Sequence, residues 1–329
     1  MRNKKITYSL LSLLIILGLL VSGCGQAKPA APAAAPAPAA SAPTPTPAAP
    51  GEDSAKVVKD AVVKYFNDIP TVKDSYKIAE KDLKEGLEKD AGKYLVVDIR
   101  KAEDYAKGHI KGAVNVPFGK DIADNLEKIR AAGKGKIVAV YCYTGQTAGQ
   151  TVALLNIAGV NAKSLHGGWG TGIKYGWAAL KYPEVTDAAK LPDGSADGNK
   201  SIDKTVKDYF INMPQDIYKI DDEVLKPELD KNADKYLVVD IRRAEDYAKG
   251  HIKGAINVPY GPDLSAKLDE LKSKAAGKTM VVYCYTGQTA GQADALYNLV
   301  GIKTKSLNFG FGNKDLPKSW DGLGYEVVK

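Results

Sequence analysis

The chain of 329 residues is 44% hydrophobic and 8% aromatic, with 46 basic and 39 acidic side chains and three cysteines. That length accommodates about two domains, each able to bury its own core, and the composition excludes a wholly disordered chain, a polytopic membrane protein and a disulfide-stapled scaffold. The formal charge of +7 does not point to nucleic acid, because the lysines are scattered among acids as on solvated helix faces and no basic run is interleaved with aromatics.

Residues 1–23 open on Met-Arg-Asn-Lys-Lys, run through an apolar stretch from Ile6 to Val21 and end in Ser22-Gly23 before Cys24. A basic start, a short apolar region and small residues at its end read as a secretory signal, not as a permanent spanning helix. Leu20-Val21-Ser22-Gly23-Cys24 resembles a bacterial lipobox. The resemblance implies cleavage before Cys24, diacylation of its sulfur and acylation of the new amino terminus, and two or three acyl chains make a stable anchor. The expected location is the cell envelope, lipid-anchored on the extracytoplasmic side. The residue after the cysteine is Gly25 and not aspartate, which resembles outer-membrane sorting toward the periplasm in a cell with two membranes. Losing Arg2, Lys4 and Lys5 with no acid lowers the charge to +4, so part of the basicity belongs to the address. Residues 24–54 form an Ala/Pro-rich linker; the stretch from Gly25 to Gly51 holds eight of the seventeen prolines. This composition offers no apolar periodicity to bury and favours an extended polyproline II stalk.

The remainder is one unit written twice. Lys93 to Pro117 and Lys235 to Pro259 differ only at Lys101/Arg243 and Val114/Ile256, and VYCYTGQTAGQ occurs at both Val140 to Gln150 and Val282 to Gln292. Asp98 and Asp240, His109 and His251, and Cys142 and Cys284 each lie 142 residues apart. A period that long means duplicated domains, since solenoid repeats run to about 20–50 residues. The expected domains are 55–183 and 203–329. Between them, residues 184–202 form a loop-like linker containing the turn signal Pro192-Asp193-Gly194.

Within the first copy, Tyr94 to Ile99 is a short β-branched run predicting a buried strand, Val116 and its neighbours predict another, and Ile137 to Tyr141 a third. Apolar spacing predicts helices over Asp121 to Ala132 and Thr147 to Ala158. Strands separated by helices imply crossover units, hence an α/β fold in which each domain is a parallel sheet flanked by helices on both faces.

Ligands of such sheets bind beyond the carboxyl ends of the strands. That places interest on Cys142 and Cys284, each directly after a strand and before a helix. Tyr143, Thr144, Gly145, Gln146 and Thr147, repeated as Tyr285, Thr286, Gly287, Gln288 and Thr289, form a short polar loop with a central glycine. Such a loop can aim backbone N–H groups and a helix amino terminus at one point, and a cysteine there is expected to be held partly as thiolate. The alternative is a buried, inert cysteine. A metal site lacks ligands: there is no CxxC, and each copy offers one cysteine and one histidine of this kind. His109 and His251 are read as hydrogen-bonding wedges in their loops, with histidine-assisted attack as the other option. His166 has no counterpart in the second copy and cannot serve a shared activity.

Asp98-Ile99-Arg100, Tyr105 to Ala113 and Asn115-Val116-Pro117, the cysteine loop, and the repetition of all of these from Asp240 onward resemble the rhodanese domain family of sulfurtransferases. The resemblance spans nearly all of the folded chain. It implies two tandem domains of that fold and a two-step sulfur transfer through a transient cysteine persulfide on Cys142 or Cys284, with no other cofactor. A small sulfur donor such as thiosulfate and an acceptor thiol or cyanide would be its partners. Loop amides would cradle the persulfide, with Thr147 and Thr289 offering hydroxyls to the sulfur. Arg100 and Arg242 are either structural partners of Asp98 and Asp240 or contributors to a positive field.

Departures from the family pattern qualify that reading. The loop carries no charge, whereas relatives specialised for thiosulfate place a cation in or facing it, and Asp104 and Asp246 stand where long two-domain relatives resemble one another in carrying arginine. A phosphatase is disfavoured, because it needs a longer loop ending in arginine. His166-Gly167-Gly168-Trp169 becomes Asn308-Phe309-Gly310-Phe311 in the second copy, altering a pocket wall. Two functions are expected to compete: a membrane-anchored sulfurtransferase, and a persulfide carrier or partner-binding module without turnover.

Overall fold

The computed structural model describes residues 52–313 and 316–329. The expected signal peptide, Cys24 and most of the linker lie outside the described residues, among which no helix is long and apolar enough to cross a membrane.

Helix α1 (Glu52–Asp68) leads into the first copy, built from β1 (Lys77–Ile78), α2 (Glu80–Asp90), β2 (Tyr94–Asp98), α3 (Ala102–Lys107), β3 (Val114–Asn115), α4 (Lys120–Asp124), α5 (Leu126–Ala132), β4 (Ile137–Tyr141), α6 (Gln146–Ile157) and β5 (Ala162–Leu165). Helix α7 (Lys200–Ile211) leads into the second, with β6 (Lys219–Ile220), α8 (Asp222–Asn232), β7 (Tyr236–Asp240), α9 (Ala244–Lys249), β8 (Ile256–Asn257), α10 (Pro262–Ala266), α11 (Leu268–Lys274), β9 (Thr279–Tyr283), α12 (Gln288–Leu299) and β10 (Thr304–Leu307). The strand orders are β1-β5-β4-β2-β3 and β6-β10-β9-β7-β8, parallel throughout. Each cysteine therefore follows the central strand of its sheet.

Alternation along that strand builds two cores. Val138 and Val140 face a cluster with Ile122, Leu126 and Val152, while Ala139 and Tyr141 face Leu83 and Tyr105 on the other side. Helices thus cover both faces, as a sheet with apolar residues on both sides requires. The single helix expected over Asp121 to Ala132 is two, α4 and α5. Asn125 leaves helical geometry (φ −111°, ψ 12°), and its side-chain amide donates to the Asp121 carbonyl at 2.8 Å. An asparagine that bonds its own backbone competes with the helix ladder. The strand expected around Val116 ends at Asn115, with the Val116 N–H still donating to Asp98 O at 2.9 Å.

The two leading helices are exchanged. Val62, Tyr65 and Phe66 of α1, with Ile69 just after it, pack with Val239, Val282, Leu264 and Tyr297 of the second copy. Ile202, Val206, Tyr209 and Phe210 of α7 pack with Val97, Val140 and Leu126 of the first. Polar contacts follow the same exchange. Tyr65 donates to Gln292 on α12 at 2.7 Å, Lys59 pairs with Asp269 on α11 at 2.7 Å, and Lys207 pairs with Glu127 on α5 at 2.5 Å. Ser54 and Ser201 meet at 3.0 Å where α1 and α7 run side by side. Each sheet's core is closed by a helix preceding the other copy.

Phe66 is fully buried against Tyr260 and Tyr297. Phe66→Ala is therefore expected to lose about 3–5 kcal/mol and to accelerate amide exchange in β9 of the second copy before β4 of the first. Loosening that begins in β4 would contradict the exchange.

Candidate active site

The backbone leaves β4 at Tyr141, passes Cys142 and turns into α6 through Gly145, whose φ of +97° lies in the left-handed region. Gly287 does the same at +86° before α12. This turn folds the loop back over the sulfur: Cys142 Sγ accepts from Gly145 N–H at 3.1 Å and from Ala148 N–H at 3.4 Å. The corresponding distances at Cys284 are 3.2 Å from Gly287 and 3.4 Å from Ala290. Both sulfurs are buried at the amino terminus of a twelve-residue helix, where unsatisfied N–H groups and the helix dipole favour negative charge.

A second glycine holds the loop from outside. A Cβ on Gly168 would lie 2.5 Å from Cys142 O, and one on Gly310 2.5 Å from Cys284 O, so only glycine admits the approach. Trp169 and Phe311 then donate N–H to those carbonyls at 2.8 Å.

The expected site residues separate into three groups. Tyr143, Thr144 and Gly145, and likewise Tyr285, Thr286 and Gly287, form the turn that follows Cys142 or Cys284, while Thr147 and Thr289 lie in the first turn of α6 and α12. Gln146 and Gln288 begin the helices, but their side chains turn away from the cradle. Gln146 donates to Ser306 Oγ at 2.7 Å and Leu307 O at 3.2 Å in the other copy, and Gln288 donates to Ser164 Oγ at 2.8 Å and Leu165 O at 3.1 Å. Arg100 and Arg242 are buried and committed. Arg100 bonds Asp98 at 2.6 Å and Gly108 O at 2.7 Å while lying over Trp169; Arg242 repeats this with Asp240, Gly250 O and Phe311. His109 and His251 bond the carbonyls of Tyr105 and Tyr247 and stack on those rings, holding the loop before β3 or β8.

Tyr143 and Tyr285 connect the loops to the acids after the Asp-Ile-Arg motif. Tyr143 donates to Asp104 at 2.7 Å and Tyr285 to Asp246 at 2.5 Å. Burial, then the bond to Asp104, raises the Tyr143 pKa to about 12. Lys107 pairs with Asp104, and Lys249 and Arg243 with Asp246. Bonds from Tyr285, Lys249 and Arg243 hold the Asp246 carboxyl far below its ordinary range. Beside each loop opens a cavity, about 290 Å³ lined by Tyr143, Asp104 and Lys107, and about 320 Å³ lined by Tyr285, Asp246 and Lys249. The lysine lining each cavity is thus paired with an adjacent carboxylate, and the donors to each sulfur among the described residues are backbone amides.

Sequence reasoning missed the Ala148 and Ala290 amides, legible only as a position six residues past the cysteine once the turn is known. It also missed Glu80, at the start of α2. Burial pushes the Glu80 carboxyl up, but bonds from His166 at 3.1 Å and Gly176 N–H at 3.0 Å outweigh it and hold it below its ordinary value. The equivalent Asp222 is buried with both oxygens unpartnered, and its pKa is pushed up to about 8 by desolvation.

The rhodanese-like domain matches twice, at residues 79–171 and 223–313. Among curated proteins, the "Thiosulfate sulfurtransferase PspE" of Escherichia coli (strain K12) is 32% identical over 63 residues, covering 19% of this chain and 59% of the relative's length. A thiosulfate sulfurtransferase structure from Pseudomonas aeruginosa is 20% identical, covers 76% of this chain and 46% of its own, and gives a TM-score of 0.32. A protein from Lactobacillus plantarum is 31% identical, covers 34% and 88%, and gives 0.28. With more than half of its length matched by that domain, the chain belongs to the rhodanese-like family, as two tandem domains.

Asp222 generates a pH prediction. Its folded pKa lies above its unfolded value, so the folded state favours the protonated acid; stability present below about pH 4 is lost as pH rises through about 8. Asp222→Asn is expected to melt with the parent at pH 4 and above it at pH 9, by about 2–4 °C for each kcal/mol relieved. Melting curves that stay parallel across that range would contradict the burial of an unpartnered charge.

Proposed function

We propose that the protein is a membrane-anchored extracytoplasmic sulfurtransferase that moves sulfane sulfur from thiosulfate or a related donor to a thiol or cyanide. The thiolate of Cys142 or Cys284 attacks the outer sulfur of the donor. The donor's S–S bond breaks, and its electron pair leaves with sulfite. The persulfide so formed is attacked at its terminal sulfur by the acceptor, which takes that sulfur and returns the electron pair to the cysteine. Electrons balance without a further cofactor. The observation that carries this reading is the pair of backbone N–H groups aimed at each sulfur, Gly145 with Ala148 and Gly287 with Ala290. Preorganised donors of this kind stabilise charge at the reacting atom without reorganisation.

A second reading, a persulfide carrier or partner-binding module without turnover, is favoured by the neutralised cations. Asp104 and Asp246 occupy the mouths where a dianion would enter.

Thiosulfate:cyanide turnover by the full chain in detergent tests the first reading. Cys142→Ser and Cys284→Ser are each expected to retain part of the activity, and the double variant to fall to background. Full activity in the double variant would exclude the cysteine mechanism; absent turnover in a parent that still takes up sulfur would establish the carrier. The anchor is tested separately: Cys24→Ser is expected to release the protein from membranes, and continued membrane association would refute lipidation at that site.

A further inference from the structure

The run of chain that follows the first copy lies along that copy's edge. Val185 exchanges two backbone hydrogen bonds with His109, each 2.9 Å, and His109 Nε2 bonds Asp187 O at 2.8 Å. Ala189 then pairs in parallel with Val114 of the edge strand β3, its N–H donating to the Tyr105 hydroxyl at 3.1 Å, and Ala189 and Leu191 pack on the core behind it. Farther on the chain crosses α5, where Arg130 binds Ala158 O at 2.9 Å, Ala196 O at 2.7 Å and the Asp203 carboxylate. One run thus covers a sheet edge and neutralises the cation beyond it.

The second copy has the same track, open. It starts alike, with Val328 and His251 exchanging hydrogen bonds at 2.9 and 3.0 Å. Beyond that point none of the described residues takes the place of Ala189, Leu191 or Ala196. Tyr247 donates to Ala255 O at 2.8 Å, as Tyr105 does to Ala113 O at 2.7 Å, but no described residue donates to it in return. Tyr247 and Ile256 of the edge strand β8 are half-buried, where Tyr105 and Val114 are buried. Lys272 stands in the place of Arg130 and keeps the bond to the helix end, donating to Val300 O at 2.8 Å. It has no carboxylate. The residue that α1 extends toward α11 is Lys59, which takes Asp269, and Lys274 takes Glu270. What remains is a cavity of about 790 Å³ at the amino ends of β7 and β9, with Lys235, Lys272, Lys278 and Lys303 on its wall and no acid. Residues 1–51 contain no acidic side chain that could enter it.

We propose that the β8 edge and the lysine cavity of the second copy form one docking surface for an extended acidic peptide segment of a partner protein, seated as residues 185–198 are seated on the first copy. Backbone pairing along β8 holds the segment, small and aliphatic side chains cover the core as Ala189 and Leu191 do, and carboxylates farther along reach the lysines. Docking there requires no sulfur transfer, so absence of the proposed activity would leave the surface intact.

The probe is a fluorescent peptide with the sequence of residues 184–203, which carries five acids and two lysines, titrated with the full chain in detergent and read by anisotropy. Saturable binding is expected, weakened about fivefold or more by Lys272→Glu and by Lys303→Glu, and likewise when the peptide's acids become Asn and Gln. Lys303 makes no side-chain hydrogen bond among the described residues, so its variant carries the test if Lys272→Glu misfolds. Bound peptide is also expected to slow amide exchange at Ile256 and Asn257, which attraction to the lysines alone would not do. No saturable binding, binding unchanged by both lysine reversals, or unaltered exchange in β8 would overturn the proposal. Tripolyphosphate binding at the lysines without peptide binding would overturn it in favour of a small-anion site.

Discussion

The close approach of α6 to α12 is the constraint on which the molecule depends. A Cβ on Gly149 would stand 2.3 Å from Gln288 O, and one on Gly291 2.5 Å from Gln146 O. The helices touch through backbone, at the turn just after each cysteine loop. Gln146 and Gln288 then cross the interface to serines on β10 and β5. The helix that follows each loop is thus braced by the other domain. The exchange of α1 and α7 adds to this, because the buried stripe of each leading helix packs into the core of the other copy, with Val57 and Ala61 of α1 also touching the first. The two sequence domains share one packed interface.

On the proposed function, that bracing would let charge develop beside a loop without charged side chains. Dipoles held rigidly near a buried sulfur act in a low-dielectric setting and need not reorganise when charge develops. Gly145 and Ala148 supply such dipoles at Cys142, and Gly287 and Ala290 at Cys284. The cationic side chains nearby serve architecture: Arg100 and Arg242 close the turn after β2 and β7 through Asp98, Asp240 and the Gly108 and Gly250 carbonyls. On the proposed function, an anionic donor would be stabilised locally at the sulfur and not drawn in by free cations lining the cavity.

Much of the fold was legible because the chain repeats itself. Identical strand, loop and cysteine segments 142 residues apart set the domain count, the central strands and the place of the loops. What stayed hidden is what periodicity does not encode. The apolar stripe of α1 says that Val62 and Phe66 are buried, but not beneath which sheet; only three-dimensional packing assigns them to the second copy. Asn125 broke an otherwise helical pattern through a local side-chain bond that apolar spacing does not register. Gln146 and Gln288 read as cradle residues from their place in the loop, yet the αL turn at the preceding glycine sends their side chains outward. The difference between His166-Gly167 and Asn308-Phe309 was visible as text, but not that a Cβ at 167 would lie 2.4 Å from the Tyr175 ring.

The most direct test of the account is sulfur uptake itself. The full chain, incubated with thiosulfate and freed of excess donor, is digested without reductant and each cysteine peptide is weighed. One added sulfur on Cys142 and one on Cys284, both discharged by cyanide, is the predicted result. Sulfur on neither cysteine in the folded protein would contradict the account of these two cradles as sulfur carriers.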